Sequence, residues 1–423
     1  MRNCLTFLRS ACLFTLKDSI PATYTPLVIK RTKRRRMPHI AVLLESSHGV
    51  SRAMLQGILK YVRIYGPWSI HIAAGGSNDL KVPDTKTWKG DGIIARVPNN
   101  NVAHDIVAAR LPTVIINPAD PYLKHSHLLS SYSRIQCDSQ AIGKLAAEFF
   151  IGNDFRNYAF VGEIAGVNWS RWRQEAYEKR LVAAGKTCHV YPISPIENLA
   201  WSSERKRLWV WLKKLPKPVA IFAANDNRAR QVLDACLVAG IPVPYEAAVL
   251  GVNNDILICE TCIPPLSSIT VDDETAGYEA AHLLDQLMHR AIKGQKIVRY
   301  VPTGIVSRAS TEVVQVNDKL VIRALEFIRI NAGLTIRVSD VANHLGVTNR
   351  WAEMRFQKTL GHSILEAIQR ARMATICSML KETDLSFREI SRRCGFSQPH
   401  HLCTIFKQQF SMTMSDYRTR NRT

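Results

Sequence analysis

Hydrophobic and polar positions follow three regimes along this chain. From His39 to about residue 255, short apolar runs alternate with segments whose apolar residues recur every three or four positions. The runs are HIAVLLE (39–45), WSIHIAA (68–74), GDGIIAR (90–96), PTVIINP (112–118), NYAFVGE (157–163), KPVAIFAAND (217–226) and AAVLGVNND (247–255). Unbroken apolar runs of this length predict strands buried on both faces. Between them SRAMLQGILKYVRIYG (51–66), SQAIGKLAAEFFIGN (139–153), SRWRQEAYEKRLVAAG (170–185) and NRARQVLDACLVAG (227–240) have helical spacing. Strands alternating with helices imply parallel sheets flanked by helices. About eight strands in two runs, divided near residue 150, predict two α/β lobes.

Beyond Asp318, which opens the helix KLVIRALEFIRINA, only the helical period continues. In VSDVANHLGVTNRWAEMRFQKTLG (338–361), Ser339 is the expected N-cap, and Val341, Ala342 and Leu345 face a core. Gly346 supplies a turn, Val347 packs it, and Thr348 caps a second helix running to about Lys358. This is a helix-turn-helix pattern. After SILEAIQRARMATICSMLKET (363–383) it recurs: Ser386 caps, Ile390 and Cys394 point inward, Gly395 turns and Phe396 packs. Gln398 or Ser397 then caps a helix with Pro399 near its first position. Leu402, Phe406 and Phe410 form its buried stripe, so His400, His401 and Thr404 face outward; in the first unit Arg350, Glu353 and Met354 do so. The caps Thr348 and Gln398 are about fifty residues apart with a rigid helix between, a spacing that sets two recognition helices in successive major grooves of double-stranded DNA. Arg can pair with guanine and Glu with cytosine. Arg355, Lys358, Lys407 and Arg418 suit phosphates or helix ends. The alternative for each outward residue is a solvated surface side chain.

Charge supports an acidic partner. The formal net charge is +21. Residues 1–36 hold nine Lys/Arg and one acid (+8), residues 37–317 hold 30 and 25 (+5), and residues 318–423 hold 17 and nine (+8). Both ends are basic and the middle is nearly balanced, as expected for nucleic-acid contact at the ends. The opening MRNCLTFLRSACLFTL is loosely like a signal peptide, but its cleavage end is poor and Lys30–Arg36 follows. It reads as a disordered basic leader over 1–37, or an upstream over-extension of the start, because Met37 immediately precedes the first strand. The functional alternative is a basic arm on DNA phosphates. With 46% hydrophobic residues the chain can bury ordinary cores. It lacks the run of about twenty apolar residues that a membrane helix needs, so no membrane partner is expected.

Ten cysteines without repeated spacing fit reduced thiols and a cytoplasmic, nucleoid-associated protein. Cys259-Glu260-Thr261-Cys262 has no second pair and reads as two loop or core thiols. Cys394, His400, His401 and Cys403 crowd together in sequence, but a zinc site needs about four converging ligands, and the helical phase spreads these apart. No metal and no cofactor are expected.

Polar residues at the carboxyl ends of the middle strands mark a ligand cleft. They are Glu45, Arg96, Asn225-Asp226 and Asn253-Asn254-Asp255, with Trp169 and Trp172 nearby. Carboxylate, amide and guanidinium groups bond hydroxyls in both directions while indoles cover C–H faces, which suits a sugar. Each strand-end Asp or Asn can equally be a turn or helix cap.

These segments carry resemblances. VGE…WSRWRQEAYEKRL, AIFAANDNRARQVL, AAVLGVNND and IPPLSSITVDDETAGYEAAHLL resemble the effector domain of LacI/GalR-type repressors, itself similar to periplasmic sugar-binding proteins, over roughly 38–312. The resemblance implicates Arg173, Asp226 and Asn253 as ligand contacts, although that family often has Asp where Asn253 stands. Trp169, Asp255, Asp272 and Arg52 complete the candidate set. That family's N-terminal DNA-binding unit is missing. ISRRCGFSQPHHLCTIFKQQF…YR instead resembles AraC-type regulators over roughly 316–420, with Ala352, Ser411 and Met414 where that family usually has Leu, Gly and Pro. By this resemblance Arg350, Glu353, Met354, His400, His401 and Thr404 read bases, and Arg355 and Lys407 contact the backbone.

The expected architecture is a two-lobed α/β periplasmic-binding-protein-like domain of parallel sheets (38–312), then an all-α domain (313–423) with helix-turn-helix units at 339–358 and 387–408. This order resembles the regulators of bacterial xylose operons. It implies a transcription activator working as a homodimer on promoter or operator half-sites, with D-xylose as effector and RNA polymerase as a further partner. The same build could answer another sugar or small ligand. Two other readings are a sugar-active enzyme and a constitutive architectural DNA binder. No GxGxxG, P-loop or GxSxG supports the enzyme.

Overall fold

The computed structural model describes residues 36–423 apart from 74, 77–78, 164–166, 194–200, 313–317, 397 and 422–423. The basic leader, Ser397 and part of the connection after residue 312 lie outside the described residues.

The chain opens with β1 (His39–Leu43), α1 (Gly49–Tyr65), β2 (Ser69–Ile72), α2 (Thr85–Trp88) and β3 (Gly92–Ala95). It continues through α3 (Asn100–Ala109), β4 (Thr113–Ile116), α4 (Asp120–Leu123) and β5 (Ser133–Cys137) in the same lobe. Next come α5 (Ser139–Gly152), β6 (Asn157–Val161), α6 (Asn168–Val182), β7 (Cys188–Val190) and α7 (Trp201–Lys214). The second lobe goes on with β8 (Val219–Ala223), α8 (Asp226–Ala239), β9 (Ala247–Val252), α9 (Ile256–Thr261) and β10 (Ser267–Val271). Then α10 (Asp273–Met288) and β11 (Ile297–Tyr300) rejoin the first lobe, and β12 (Pro302–Val306) the second.

Each lobe is built on a six-stranded sheet, in the orders β11-β5-β4-β3-β1-β2 and β12-β10-β9-β8-β6-β7. All neighbours are parallel except β10 and β12, which are antiparallel. β3, β4, β8 and β9 are buried throughout, as strands covered by helices on both faces must be. The expected division near residue 150 is corrected. The chain passes between lobes at 137–139, 271–273 and 300–302, so neither lobe is one continuous segment.

Local chemistry sets the helix ends nearest the cleft. Asn225 accepts the Arg228 backbone N–H at 2.8 Å to open α8, and Gly240, at φ +65°, closes it. α5 lies so close to α6 that a Cβ at Gly143 would overlap the backbone oxygen of Arg173, so this glycine fixes where α6 lies.

From Asp318 onward the described residues hold helices only: α11 (Lys319–Ile330), α12 (Val338–Leu345), α13 (Asn349–Leu360), α14 (Ile364–Glu382), α15 (Phe387–Arg393), α16 (Pro399–Phe410) and α17 (Met414–Asn421). They form two small cores. α14 supplies Ile364 and Ile368 to the first, with Val321, Ile328 and Phe356. It supplies Ile376 and Leu380 to the second, with Ile390, Leu402 and Phe406.

Candidate functional site: an interlobe cleft and two exposed helices

The lobes enclose a cleft of about 790 Å³ at the carboxyl ends of their strands. Of the expected ligand residues, Arg52, Trp169, Arg173, Asp226, Asn253 and Asp255 line it. Asp272 does not. It is exposed and accepts the Thr275 N–H at 2.9 Å as the cap of α10, while its neighbour Asp273 is buried and faces the cleft.

Arg173 forms the floor. It is buried, donates to the Ala224 carbonyl, and lies 4.8 Å from the Trp169 ring centre. Its Nε–H has no protein partner. Cys137, Asp273 and Tyr300 surround it, all at points where the chain passes between lobes. Burial pulls the Arg173 pKa below its usual value and raises the Asp273 carboxyl to about 7, against the opposing pull of the Tyr300 hydroxyl and Arg173.

Asp226 is the counterpart in the second lobe. It accepts the Ser268 hydroxyl at 2.6 Å and the Asp255 backbone N–H at 2.8 Å. Burial raises its pKa to about 7, and those two bonds oppose the rise. Asp255 also caps α9 by accepting the Leu257 N–H at 3.2 Å. Asn253 holds a positive φ of +102° at the end of β9, strained for a residue other than glycine. Arg52 donates to the carbonyls of Ser46 and Ser47 at 3.0 and 2.9 Å, strapping the loop after β1. Glu45 and Arg96, from neighbouring strand ends, pair at 2.8 Å.

Sequence reasoning missed Asn117 and Tyr300. Asn117 accepts the Cys137 N–H at 2.7 Å and donates to the Tyr300 hydroxyl at 2.9 Å, tying two crossing segments together. Asn117 closes the run PTVIINP, so the strand-end rule reaches it; Tyr300 ends a short, partly exposed edge strand that carries no such signal. The lobes also touch directly, through Asn168 to the Pro118 carbonyl (3.1 Å) and Arg171 to Asp120 (2.8 Å). Carboxylates and amides at converging strand ends, with the Arg173 guanidinium and the Trp169 and Trp172 indoles of α6, give the cleft hydrogen-bonding groups and apolar ring faces of the kind a polyol requires. Among the described residues no cluster of three or more His, Cys, Asp or Glu could hold a metal ion.

The helical region presents α13 and α16. Gly346, at φ +70°, makes the turn between α12 and α13, and Thr348 caps α13 by accepting the Trp351 N–H at 3.3 Å. Ser339 is not the cap of α12. That helix begins at Val338, and the Asp340 carboxylate accepts the Arg337 N–H at 2.8 Å. Arg350 and Met354 are exposed. Glu353 departs from expectation: it is half-buried and accepts the Ile364 N–H at 3.2 Å, so it closes the start of α14. Arg355 pairs with Asp318 and lies over the Trp351 ring, which ties α13 to the start of α11. Arg418 is likewise engaged, donating to the Leu385 carbonyl at 2.6 Å and lying over the Phe387 ring.

In the second unit Ser386 caps α15, accepting the Glu389 N–H at 3.1 Å. Leu402 and Phe406 are buried, and His400, His401, Thr404 and Lys407 are exposed on α16. The Thr404 hydroxyl donates to the His400 carbonyl at 3.0 Å. Cys394 is buried and the Cys403 sulfur lies 3.8 Å from that of Met414, so neither joins the histidines.

A periplasmic binding protein-like domain model matches residues 147–311 and a helix-turn-helix domain model matches 341–420. The chain is 28% identical over 389 residues to the xylose operon regulatory protein of Haemophilus influenzae, covering 90% of this chain and 97% of that one. To the Escherichia coli K12 protein of the same name it is 28% identical over 396 residues, covering 92% and 98%. A solved structure described as the xylose-binding transcription activator xylR matches with TM-score 0.80 at 27% identity, over 92% of this chain and all of that one. Two lobes around a polar cleft, followed by two helix-turn-helix units in one chain, thus give the protein the build of the xylose operon-type transcription regulators, to which it is similar along nearly all of its length.

Proposed function

We propose that the chain is a D-xylose-responsive activator of a pentose-utilisation operon, binding paired DNA half-sites as a homodimer and contacting RNA polymerase. The observation that carries the reading is the cleft: Arg173, Asp226 and Asp273 converge on it, and the same chain continues into two helices with exposed Arg350, Met354, His400 and His401. Xylose offers hydroxyls to the carboxylates and C–H faces to Trp169 and Trp172. A sugar moves the DNA-binding equilibrium only by its differential affinity for two poses of the protein. We place this activity in the cytoplasm; no helix among the described residues is long and apolar enough to cross a membrane. We propose no catalysis, so bound sugar leaves unchanged.

Calorimetry with D-xylose, other pentoses, hexoses and polyols tests the effector. D-xylose should bind most tightly, and Arg173→Ala should weaken it about 10–100-fold, the loss of one or two hydrogen bonds to a charged group. Binding of a different sugar alone would keep the build and change the effector. No binding of any sugar would favour the architectural reading.

A further inference from the structure

α8 runs from the cleft to the DNA-binding region. Its first residue, Asp226, lines the cleft, and its first turn is locked on three sides. Asn225 donates to Glu163 at 2.7 Å, Arg228 donates to the Gly162 carbonyl at 2.9 Å, and Arg228 pairs with buried Glu204 at 2.8 Å. The helix has 14 residues, about 21 Å of rigid rod. Beyond the Gly240 cap the chain cannot slacken. Ile241 donates back to the Cys236 carbonyl at 2.9 Å, Pro242 and Pro244 fix their φ angles, and the Glu246 N–H returns to the Pro242 carbonyl at 2.8 Å. Ile241 and Val243 are anchored in the core of the second lobe, whereas Tyr245 packs on the other side, against the core built by α11–α14.

At that seam Tyr245 lies beside Arg329 of α11, with Glu326 and Glu312 nearby. Burial raises the Tyr245 hydroxyl to about 12 and lowers the Arg329 pKa, and the Arg329 Nε–H is buried with no partner. A part-buried guanidinium whose Nε–H is buried and unpaired marks a contact that another arrangement of the seam can complete, because leaving such a donor unpaired is costly.

We propose that the Tyr245–Arg329 seam is the intramolecular docking surface through which occupancy of the cleft sets the pose of the DNA-binding helices, with α8 as the connecting rod. Both are positioning residues: neither lines the cleft, and neither lies on α13 or α16. The inference rests on the proposed sugar response. Sugar that draws on Asp226 moves the second lobe and α8 as one body, and the far end of α8 carries Tyr245 across α11. Coupling of this kind is a free energy shared by two sites, with typical magnitudes of about 5–150-fold in affinity.

The test uses the full chain, D-xylose, and a DNA duplex selected by the wild-type chain from a random pool in the presence of D-xylose. Tyr245→Ala should leave D-xylose affinity within about twofold of wild type while the sugar-dependent change in DNA affinity collapses to within about twofold of unity. Arg329→Met, on the other side of the seam, should give the same collapse, and the double variant should add nothing. Tyr245→Phe keeps the ring packing and should retain most of the response, which separates positioning from misfolding. A normal response in both Tyr245→Ala and Arg329→Met overturns the relay and leaves the proposed function standing. Absence of D-xylose binding to the wild-type chain overturns the effector, and the relay with it.

Discussion

Ser268 donates its hydroxyl to Asp226 at 2.6 Å, so the carboxylate that begins α8 is fixed by β10, the strand that leads into the second crossing between lobes. The cleft-lining acid and the crossing between lobes are therefore one hydrogen-bonded unit. A hydroxyl-bearing ligand that competes for Asp226 acts on both at once.

Two neighbouring acids separate site from scaffold. Asp272→Ala should cost about 0.5–2 kcal/mol of stability as a lost helix cap and leave sugar affinity unchanged. Asp273→Asn should weaken sugar binding without lowering the melting temperature at neutral pH. Paired calorimetry and thermal melts on both variants check this, and a reversed pattern would show that Asp272 is the ligand contact.

The carboxyls of Asp226 and Asp273 titrate near 7 in the folded chain, against 3.8 for the free group. Between these values the folded state binds more protons than the unfolded state, so stability falls as pH rises from about 4 to 7 and then levels. Each group contributes on the order of 1–4 kcal/mol to that fall. The melting temperature of the sugar-free chain should drop from pH 5 to pH 8, and Asp226→Asn with Asp273→Asn should flatten the profile. Sugar hydroxyls favour the ionised carboxylates, so affinity should rise over the same window with proton release. Calorimetry in buffers of different ionisation enthalpy reads that release, and proton uptake would reverse the assignment.

In the DNA-binding region Glu353 and His400 should behave differently. His400→Ala should cost about 1–3 kcal/mol on the selected duplex and much less on random DNA if the imidazole reads a base. Glu353→Ala should lower thermal stability by leaving the Ile364 N–H at the start of α14 without its acceptor, and leave sequence preference alone. Binding isotherms on both duplexes, with melts of each variant, decide between the roles.

Ser411 closes α16 in the left-handed region, at φ +54°. Glycine adopts that conformation without steric cost. Ser411→Gly should therefore stabilise the region by about 0.5–1 kcal/mol, visible as a higher midpoint in denaturant. A lower midpoint would mean that the serine side chain has a role outside the cap.

The sequence was most legible where burial is two-sided. HIAVL, GIIA, TVII, VAIFA and AAVLGV stand out because helices cover both faces of those strands. The strand SRIQC and the edge strands CHV and IVRY are half-polar and escaped notice; they include β5 and β11, which end at two of the three crossings, so the exchange of chain between lobes was also hidden. Strand-end logic reached Asp226 and Asp255, whereas Arg173, on α6, was implied only by the resemblance to LacI/GalR-type repressors. It could not choose between Asp272 and Asp273, because the choice depends on whether the first or the second acid of the pair caps α10. Helical phase located α13 and α16 and their buried stripes. It could not show that Glu353 turns toward the start of α14, since that contact joins residues eleven apart around a turn.

The three passages of the chain between lobes also bear on how this protein can be rebuilt. A gene fragment cut near residue 150 would encode neither lobe whole, because the first lobe recovers α10 and β11 only after the second is nearly complete. Recombination can thus exchange the effector module only as the entire block from β1 to β12. The region from α11 to α17 is contiguous and can be grafted as a single cassette. One crossover between β12 and α11 therefore exchanges either module whole, whereas a crossover inside the lobes breaks the effector module.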